Sequence, residues 1–291
     1  MKILILGLSG MLGHKLFSYL QKQNTYELYA TTTTNFEIEH PNFKIVNKKN
    51  IFFSKTQNID FFKKKITDIK PDLVINCIAI LKESFFYLNP LKFIEINTVL
   101  PLQISELSKI FGFRFIHFST DILYADTNKL SCENDKITLE GPYAASKFLG
   151  EVKNNNSLTI RTSIIGHQLN NKNSLVEWFL SYRGETVNGY SNVIYSGLPT
   201  TEISKIIHEK IIPNVNLKGI INISSNPISK FELLKKIKKY YNKKVKINID
   251  NSAISNRSLD SNLFNNKTGY LAPDWDVLVK EMFNDFITKK K

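Results

Sequence analysis

Two residues four apart, Tyr143 and Lys147 in the run "PYAASK", carry the strongest chemical signal in this sequence of 291 residues. At i and i+4 they share one face of a helix. A phenol with an ordinary pKa of about 10 is a poor acid or base near neutrality. A cation beside it favours the phenolate and draws that value into a working range. Alone, Tyr-x-x-x-Lys reads equally well as a solvated helix face. The run "FSTD" upstream, Phe118 to Asp121, adds weight because it closes an apolar strand. Ser119, Thr120 and Asp121 then project from a strand's carboxyl end, where doubly wound sheets bind ligands. A hydroxyl, a phenol and an ammonium together suit proton transfer to a carbonyl oxygen.

The second signal opens the chain. "GLSGMLG" spaces Gly7, Gly10 and Gly13 three apart, directly after the apolar run "MKILIL". A strand, a glycine turn and a helix point free N–H groups and the positive end of the helix dipole at a phosphate. Glycine is needed where the backbone turns sharply and approaches the phosphate closely. The residues of such a turn are Gly7, Gly10, Met11, Leu12 and Gly13. G-x-x-G-x-x-G is a weaker pattern than G-x-G-x-x-G, so the strand-to-helix context decides its reading.

The elements that must hold these groups alternate in period. "KILILG", "YELYATTT", "FKIVN", "DLVINCIAI", "RFIHFST", "SLTIRTSIIG" and "GIINISS" read as strands. "MLGHKLFSYLQKQ", "IDFFKKKITDIK", the long stretch around Pro101, "SLVEWFLSYRG" and "SKFELLKKIKKYY" read as helices, the last opened by a Ser229–Glu232 capping box. Strands alternating with helices predict an α/β fold with a doubly wound parallel sheet. The expected plan is a nucleotide-binding Rossmann domain over residues 1–165, with a returning segment at about 192–224. Residues 166–191 and 225–291 would form a smaller C-terminal substrate-binding lobe.

Composition narrows the partners. Hydrophobic content of 42% and charged content of 22% are ordinary for a globular chain. The net charge of +13 comes from lysines scattered among asparagines, with no arginine-rich or aromatic-interleaved strip. It argues for no nucleic-acid partner and suits an anionic small molecule. Cys77 and Cys132 are too few for a disulfide framework or metal site, so a cytoplasmic protein with no metal is expected. No apolar run is long enough to span a membrane, and the N-terminal run lacks a signal-peptide cleavage site.

In these residues the chain resembles the extended short-chain dehydrogenase/reductase family, most closely its dTDP-4-dehydrorhamnose reductase branch. The runs that carry the resemblance are "MKILILGLSGMLGHKL", "PDLVINCIAI", "EINTVLP", "FSTDILY", "PYAASKFLGE" and "IRTSIIG". Further on, "SGLPTTEIS" and "NRSLDSNLF" are degraded versions of motifs of that branch. The resemblance implies that Tyr143 protonates a sugar carbonyl, Lys147 holds the nicotinamide ribose, and Thr120 bonds the same carbonyl oxygen beside Ser119 and Asp121. Asn76, Cys77 and Ala79 would line the cofactor. Cys77 and Ile78 depart from the smaller residues usual there, and Cys77 reads equally as a buried strand thiol. Asn97 would order the active-site helix and a relay water. Lys82, Asp121, Trp178 and Arg257 form the candidate substrate set. Arg257 could grip a diphosphate bidentately. Trp178 could stack on a nucleobase, although its helical spacing favours the core. Tyr190, Tyr195 and Ser196 fall where the branch has sugar-contacting loops.

The implied function is an NAD(P)H-dependent reductase of a nucleotide-activated 4-keto-deoxysugar, serving surface polysaccharide biosynthesis. Dehydratases of the family carry Asp-Glu after the threonine, whereas Asp121 here precedes Ile122. A C4 epimerase with retained NAD is the enzymatic alternative, and a non-catalytic NADP-binding regulatory subunit is the other. The cofactor expected is NADPH, with NADH as the alternative, because "TTTTN" offers Thr32 and no acid where NAD enzymes hold the ribose. The resemblance allows a homodimer.

Overall fold

The computed structural model describes residues 1–33, 48–54, 58–81, 90–124, 129–169 and 174–288. The apolar runs assemble into strands β1 (Lys2–Leu6), β2 (Glu27–Thr32), β3 (Ile51–Phe53), β4 (Leu73–Asn76), β5 (Arg114–Phe118) and β6 (Ser157–Arg161). Next come β7 (Ile164–Ile165), β8 (Thr186–Tyr195), β9 (Leu198–Pro199), β10 (Gly219–Asn222), β11 (Ile228–Ser229) and β12 (Lys246–Asn256). The helices are α1 (Met11–Gln23), α2 (Ile59–Ile69), α3 (Pro90–Phe93), α4 (Leu100–Phe111) and α5 (Gly141–Leu149). They continue with α6 (Leu175–Ser181), α7 (Thr200–Ile206), α8 (Lys230–Tyr240), α9 (Asn262–Thr268) and α10 (Trp275–Thr288).

Seven strands form one sheet in the order β10-β6-β5-β4-β1-β2-β3, every pair parallel. Its strands are apolar on both sides because both faces are covered. Leu12, Leu16 and Leu20 of α1 are buried in a cluster that also takes in Ile203 and Ile207 and, from α10, Leu278 and Met282. Phe62 and Ile66 of α2 with Ile104 and Leu107 of α4 bury the other face. Strand order reverses at β1, which pairs with β2 on one side and β4 on the other. A crevice at the carboxyl ends of β1 and β4 follows from that reversal. The opening glycines and Asn76 lie at its mouth.

A second sheet, β11-β8-β12, carries α8 on its face. Here the structure corrects the sequence reading. "NGYSNVIYSGLPT" is mostly strand, not loop, since β8 runs unbroken through Tyr195. Its glycine suits a tight crossing: a Cβ on Gly189 would stand 3.0 Å from the Phe231 Cα of α8. The predicted strand "FKIVN" lies outside the described residues, and the edge strand β3 follows it. The stretch around Pro101 is not one regular helix. A π-helical turn, Ile94–Val99, precedes α4, which starts with Pro101 in its first turn. Proline lacks the N–H that a continuing helix would need and fits best at a helix start.

Candidate active site

The glycine turn is closely packed. Gly7 has φ +89°, and a Cβ there would come within 2.8 Å of the Ile78 Cγ1 beyond β4. A Cβ on Gly13 would sit 2.1 Å from the Gly7 carbonyl oxygen, so α1 packs directly against the turn. The N-cap Gly10 brings no side chain to cap the helix, and the first turn holds no acid. Leu12 is buried in the core, so at that position only backbone faces the crevice. Beside the turn, Gly7, Thr31, Thr32, Thr33, Ser54, Phe61 and Phe62 line a shallow, solvent-open pocket of about 10 Å³. Its described lining holds hydroxyls and rings and no carboxylate.

Across the crevice, Asn76 is fully buried. Its Oδ1 accepts from the Ile78 N–H at 3.0 Å, and its Nδ2 lies 3.1 Å from the His117 Nδ1. Burial and the nearby Lys147 charge hold His117 well below its ordinary value, so the ring is neutral and accepts from the amide. The Cys77 thiol is pushed far up by burial, which removes thiolate chemistry from it. Ala79 is exposed just past the strand end. Lys82 lies outside the described residues.

Tyr143 and Lys147 sit on α5, which opens with Gly141 and Pro142. The Lys147 ammonium is buried and donates to the Phe118 carbonyl at 2.6 Å. Tyr143 packs with Ile122, Leu123, Tyr124, Ala144 and Leu259. One residue grips the chain two positions before Thr120 and the other packs two positions after it. The Thr120 Oγ1 accepts from the Ile122 N–H at 3.3 Å and contacts the Asp121 Oδ1 at 3.3 Å. Ser119 is buried with its hydroxyl unpartnered among the described residues. Asn97 docks α5. Its Oδ1 accepts from the Ile80 N–H at 2.9 Å, and its Nδ2 donates to the Ile80 carbonyl at 3.0 Å and the Ser146 Oγ at 3.1 Å.

Gly150, which the sequence reading passed over, permits this docking. A Cβ there would stand 1.9 Å from the Asn97 carbonyl oxygen. Gly150→Ala is expected to cost about 1–3 kcal/mol or more through overpacking, measured by denaturant unfolding.

Burial pulls Lys147 down to about 8, partly offset by Glu151. Below that pH the side chain carries its charge; above it the charge is lost. Between about 8 and the ordinary value the unfolded chain holds a proton that the native chain has released. Native stability therefore rises with pH across that window, and the cost of burying the charge is fully present below it.

Arg257 is carried in from the far sheet. The Ser131 N–H donates to the Ser258 carbonyl at 2.9 Å, and the Asp260 N–H to the Ser131 carbonyl at 2.9 Å. This stitches residues 258–260 beside the Tyr143 cluster, and Arg257 meets Glu140 at 3.5 Å. Asp121 is pushed up by burial and pulled back by Arg257, then by hydrogen bonds from Thr120 and Ser163. Trp178 is 40% exposed on α6, and its ring neighbours are Phe179 and Tyr182. The core position expected of Trp178 belongs to Phe179, which is fully buried. His167 has both ring nitrogens engaged, by Glu177 at 2.6 Å and Tyr241 at 2.7 Å. Lys230, Ser163 and Glu140 were not singled out in the sequence; Lys230 was hidden as the first residue of an ordinary capped helix.

The profile of the NAD dependent epimerase/dehydratase family matches residues 3–156. The chain belongs to this family. One curated member-like relative, Protein CapI of Staphylococcus aureus, is 30% identical over 162 residues, 52% of this chain and 48% of that protein. The chain thus matches about half the length of that relative. The fold is also that of dTDP-4-dehydrorhamnose reductase from Bacillus anthracis in complex with NADP, with TM-score 0.78 at 21% identity over 100% of this chain and 99% of that one. UDP-glucose-4-epimerase from Stenotrophomonas maltophila, with bound NAD and formylated UDP-arabinopyranose, gives TM-score 0.79 at 12% identity, covering 99% and 98%. At such identities the structural likeness establishes the family's fold, shared by reductases and epimerases alike. No described helix is long and apolar enough to cross a membrane.

Proposed function

We propose that this protein is an NADPH-dependent reductase of a nucleotide-activated 4-keto-deoxysugar. The observation that carries the reading is the bracketing of Thr120 by Lys147, bonded to the Phe118 carbonyl, and Tyr143, packed on Ile122. The glycine turn fits a dinucleotide: a Cβ at Gly7 or Gly13 would close it, and the uncapped start of α1 suits a pyrophosphate. Thr32 lines the hydroxyl-rich pocket beside the turn, and the run "TTTTN" carries no acid where NAD enzymes hold the ribose, which supports NADPH over NADH.

The glycine turn at Gly7, Gly10 and Gly13 would hold the dinucleotide, and a reduced nicotinamide there would supply the hydride for the keto carbon. The Tyr143 hydroxyl gives its proton to the carbonyl oxygen, completing the alcohol. The Thr120 hydroxyl donates a hydrogen bond to the same oxygen as negative charge grows on it. Lys147 stabilises the Tyr143 phenolate left behind. Asn97 ties α5, and with it both residues, to Ile80 beyond the end of β4. The position after Asp121, where a dehydratase needs a carboxylate, is filled by Ile122, buried in the Tyr143 cluster.

Absorbance of NADPH and NADH against a panel of dTDP-, UDP- and GDP-4-keto-deoxysugars tests the proposal. Stoichiometric oxidation with one of them is expected. Interconversion of nucleotide sugars with co-purified NAD and no net oxidation would establish the C4 epimerase instead. The pH profile adds a second check. Since Lys147 loses its charge as pH rises through about 8, kcat/KM for the cofactor should fall above that point, roughly tenfold per pH unit. A flat profile to pH 10 would sink the role given to the ammonium.

A further inference from the structure

A second phenol is carried toward Thr120 by the ends of three strands. Phe118 of β5 pairs with Ile160 of β6, and the Ser119 N–H still donates to the Ile160 carbonyl at 2.7 Å. The two strands therefore leave the sheet side by side, with Asp121 and Ser163 each three residues past that pair. β8 delivers Tyr195 to the same place. A Cβ on Gly197 would stand 2.2 Å from the Tyr195 hydroxyl oxygen and 2.3 Å from the Ser163 carbonyl oxygen. The glycine thus opens the gap in which the phenol reaches Ser163. The Ser163 carbonyl is already taken, by the Leu198 N–H at 2.9 Å and the Thr162 hydroxyl at 3.3 Å. The Ser163 hydroxyl remains, and it acts on both Tyr195 and Asp121.

Tyr195 is the anomaly in the group. Its hydroxyl is buried and has no hydrogen-bond partner among the described residues, while its ring lies 5.9 Å from that of Trp275. Burial and the Asp121 charge push the phenol well above its usual value, so it keeps its proton and needs an acceptor. Asp121 is pushed up by burial and pulled back by Arg257, and its own charge reaches Lys230. The Thr120 hydroxyl donates to the Asp121 Oδ1 at 3.3 Å. A hydroxyl has one proton to give, so a threonine held by its neighbour's carboxylate has none for a substrate oxygen.

We infer that Tyr195 is a positioning residue for the Thr120 hydroxyl, acting through Ser163 and Asp121. The Tyr195 hydroxyl donates to the Ser163 hydroxyl oxygen, and Ser163 turns its own proton onto the Asp121 carboxylate. The donors run one way along this chain, each giving its single proton. A carboxylate that carries the Ser163 donor holds the Thr120 proton less tightly, which leaves it for the carbonyl oxygen of the substrate. Tyr195 itself touches no reacting atom. The inference rests on the reductase reading above.

Steady-state NADPH oxidation by Tyr195→Phe, Ser163→Ala and the double variant tests the chain. Tyr195→Phe is expected to lower kcat by about tenfold, with KM for the sugar within about twofold. The double variant should be no slower than the slower single variant, because both substitutions cut one chain. NADPH affinity of each variant reports an intact fold. A Tyr195→Phe variant as fast as the unaltered protein, or penalties that add in the double variant, would overturn the chain. Carboxyl carbon-13 NMR of the NADPH-loaded protein, with Asp121 assigned through Asp121→Asn, gives a readout free of turnover. Loss of a donor should move the Asp121 titration to higher pH in both single variants, by about one pH unit in Ser163→Ala. An unmoved Asp121 titration would overturn the chain whatever the substrate. An unaltered protein that oxidises NADPH with no 4-keto sugar, while its variants show the moved titration, would overturn the reductase reading and leave the chain standing.

Discussion

Tyr143→Phe is expected to lower kcat by about 10²- to 10⁴-fold, the range that a positioned general acid supplies. The dissociation constant for NADPH should stay within about twofold of the unaltered value, because no cofactor phosphate reaches the phenol in the proposed arrangement. The substitution is conservative in packing. The ring lies against Ile122, Ala144 and Leu259, and phenylalanine preserves that contact while removing only the hydroxyl. A matched decrease in kcat and kcat/KM would mark an interaction made in the transition state rather than in substrate binding. Single-turnover mixing of the NADPH-loaded variant with the keto sugar separates the chemical step from product release. Activity within tenfold of the unaltered protein would remove Tyr143 from the acid role. The same result would return weight to a non-catalytic, cofactor-binding protein.

Much of this site was legible because its signals are local. Gly7 and Gly13 announce a turn by the absence of a Cβ, and the structure shows each Cβ would collide within the turn or across to Ile78. Tyr143 and Lys147 are related by one helical turn, and "FSTD" by its place at the end of an apolar strand. What escaped the sequence is the work of distant residues. Gly150 matters only because the Asn97 carbonyl passes within van der Waals reach, and nothing around "LGE" tells of that neighbour. The strand β8 lies where the resembled branch has sugar-contacting loops, and the close crossing of α8 at Gly189, with the Phe231 Cα 3.0 Å from where a Cβ would stand, is a contact that the sequence does not announce. The cofactor's 2′ position stayed open for a different reason: threonines satisfy either ribose chemistry and discriminate neither.

Arg161→Met should destabilise the fold by about 3–5 kcal/mol, the cost of stranding one member of a buried ion pair. Arg161 and Glu151 expose only 2% of each side chain. The guanidinium binds the Glu151 carboxylate at both ends, Nε to Oε1 at 2.7 Å and Nη2 to Oε2 at 2.8 Å. Its remaining nitrogen donates to the Tyr124 hydroxyl at 2.5 Å and to the Glu133 carbonyl at 3.2 Å. One side chain thereby ties β6 to the end of α5 and to the loop that begins at Thr120. Adding Glu151→Leu to Arg161→Met removes the stranded charge, and stability should recover in part. The residual deficit is expected at about 1–3 kcal/mol, because the Tyr124 hydroxyl and Glu133 carbonyl still lack their donor. Urea unfolding of the two single variants and the double variant gives the coupling directly. If the ion pair were only a stabiliser, the double variant would turn over normally once folded. The geometry predicts otherwise: with Tyr124 released, the loop carrying Thr120 loses its anchor on β6, and kcat should remain depressed at temperatures where the double variant is fully native. Full activity in a stable double variant would show that Tyr124 and the buried pair support the fold without positioning Thr120.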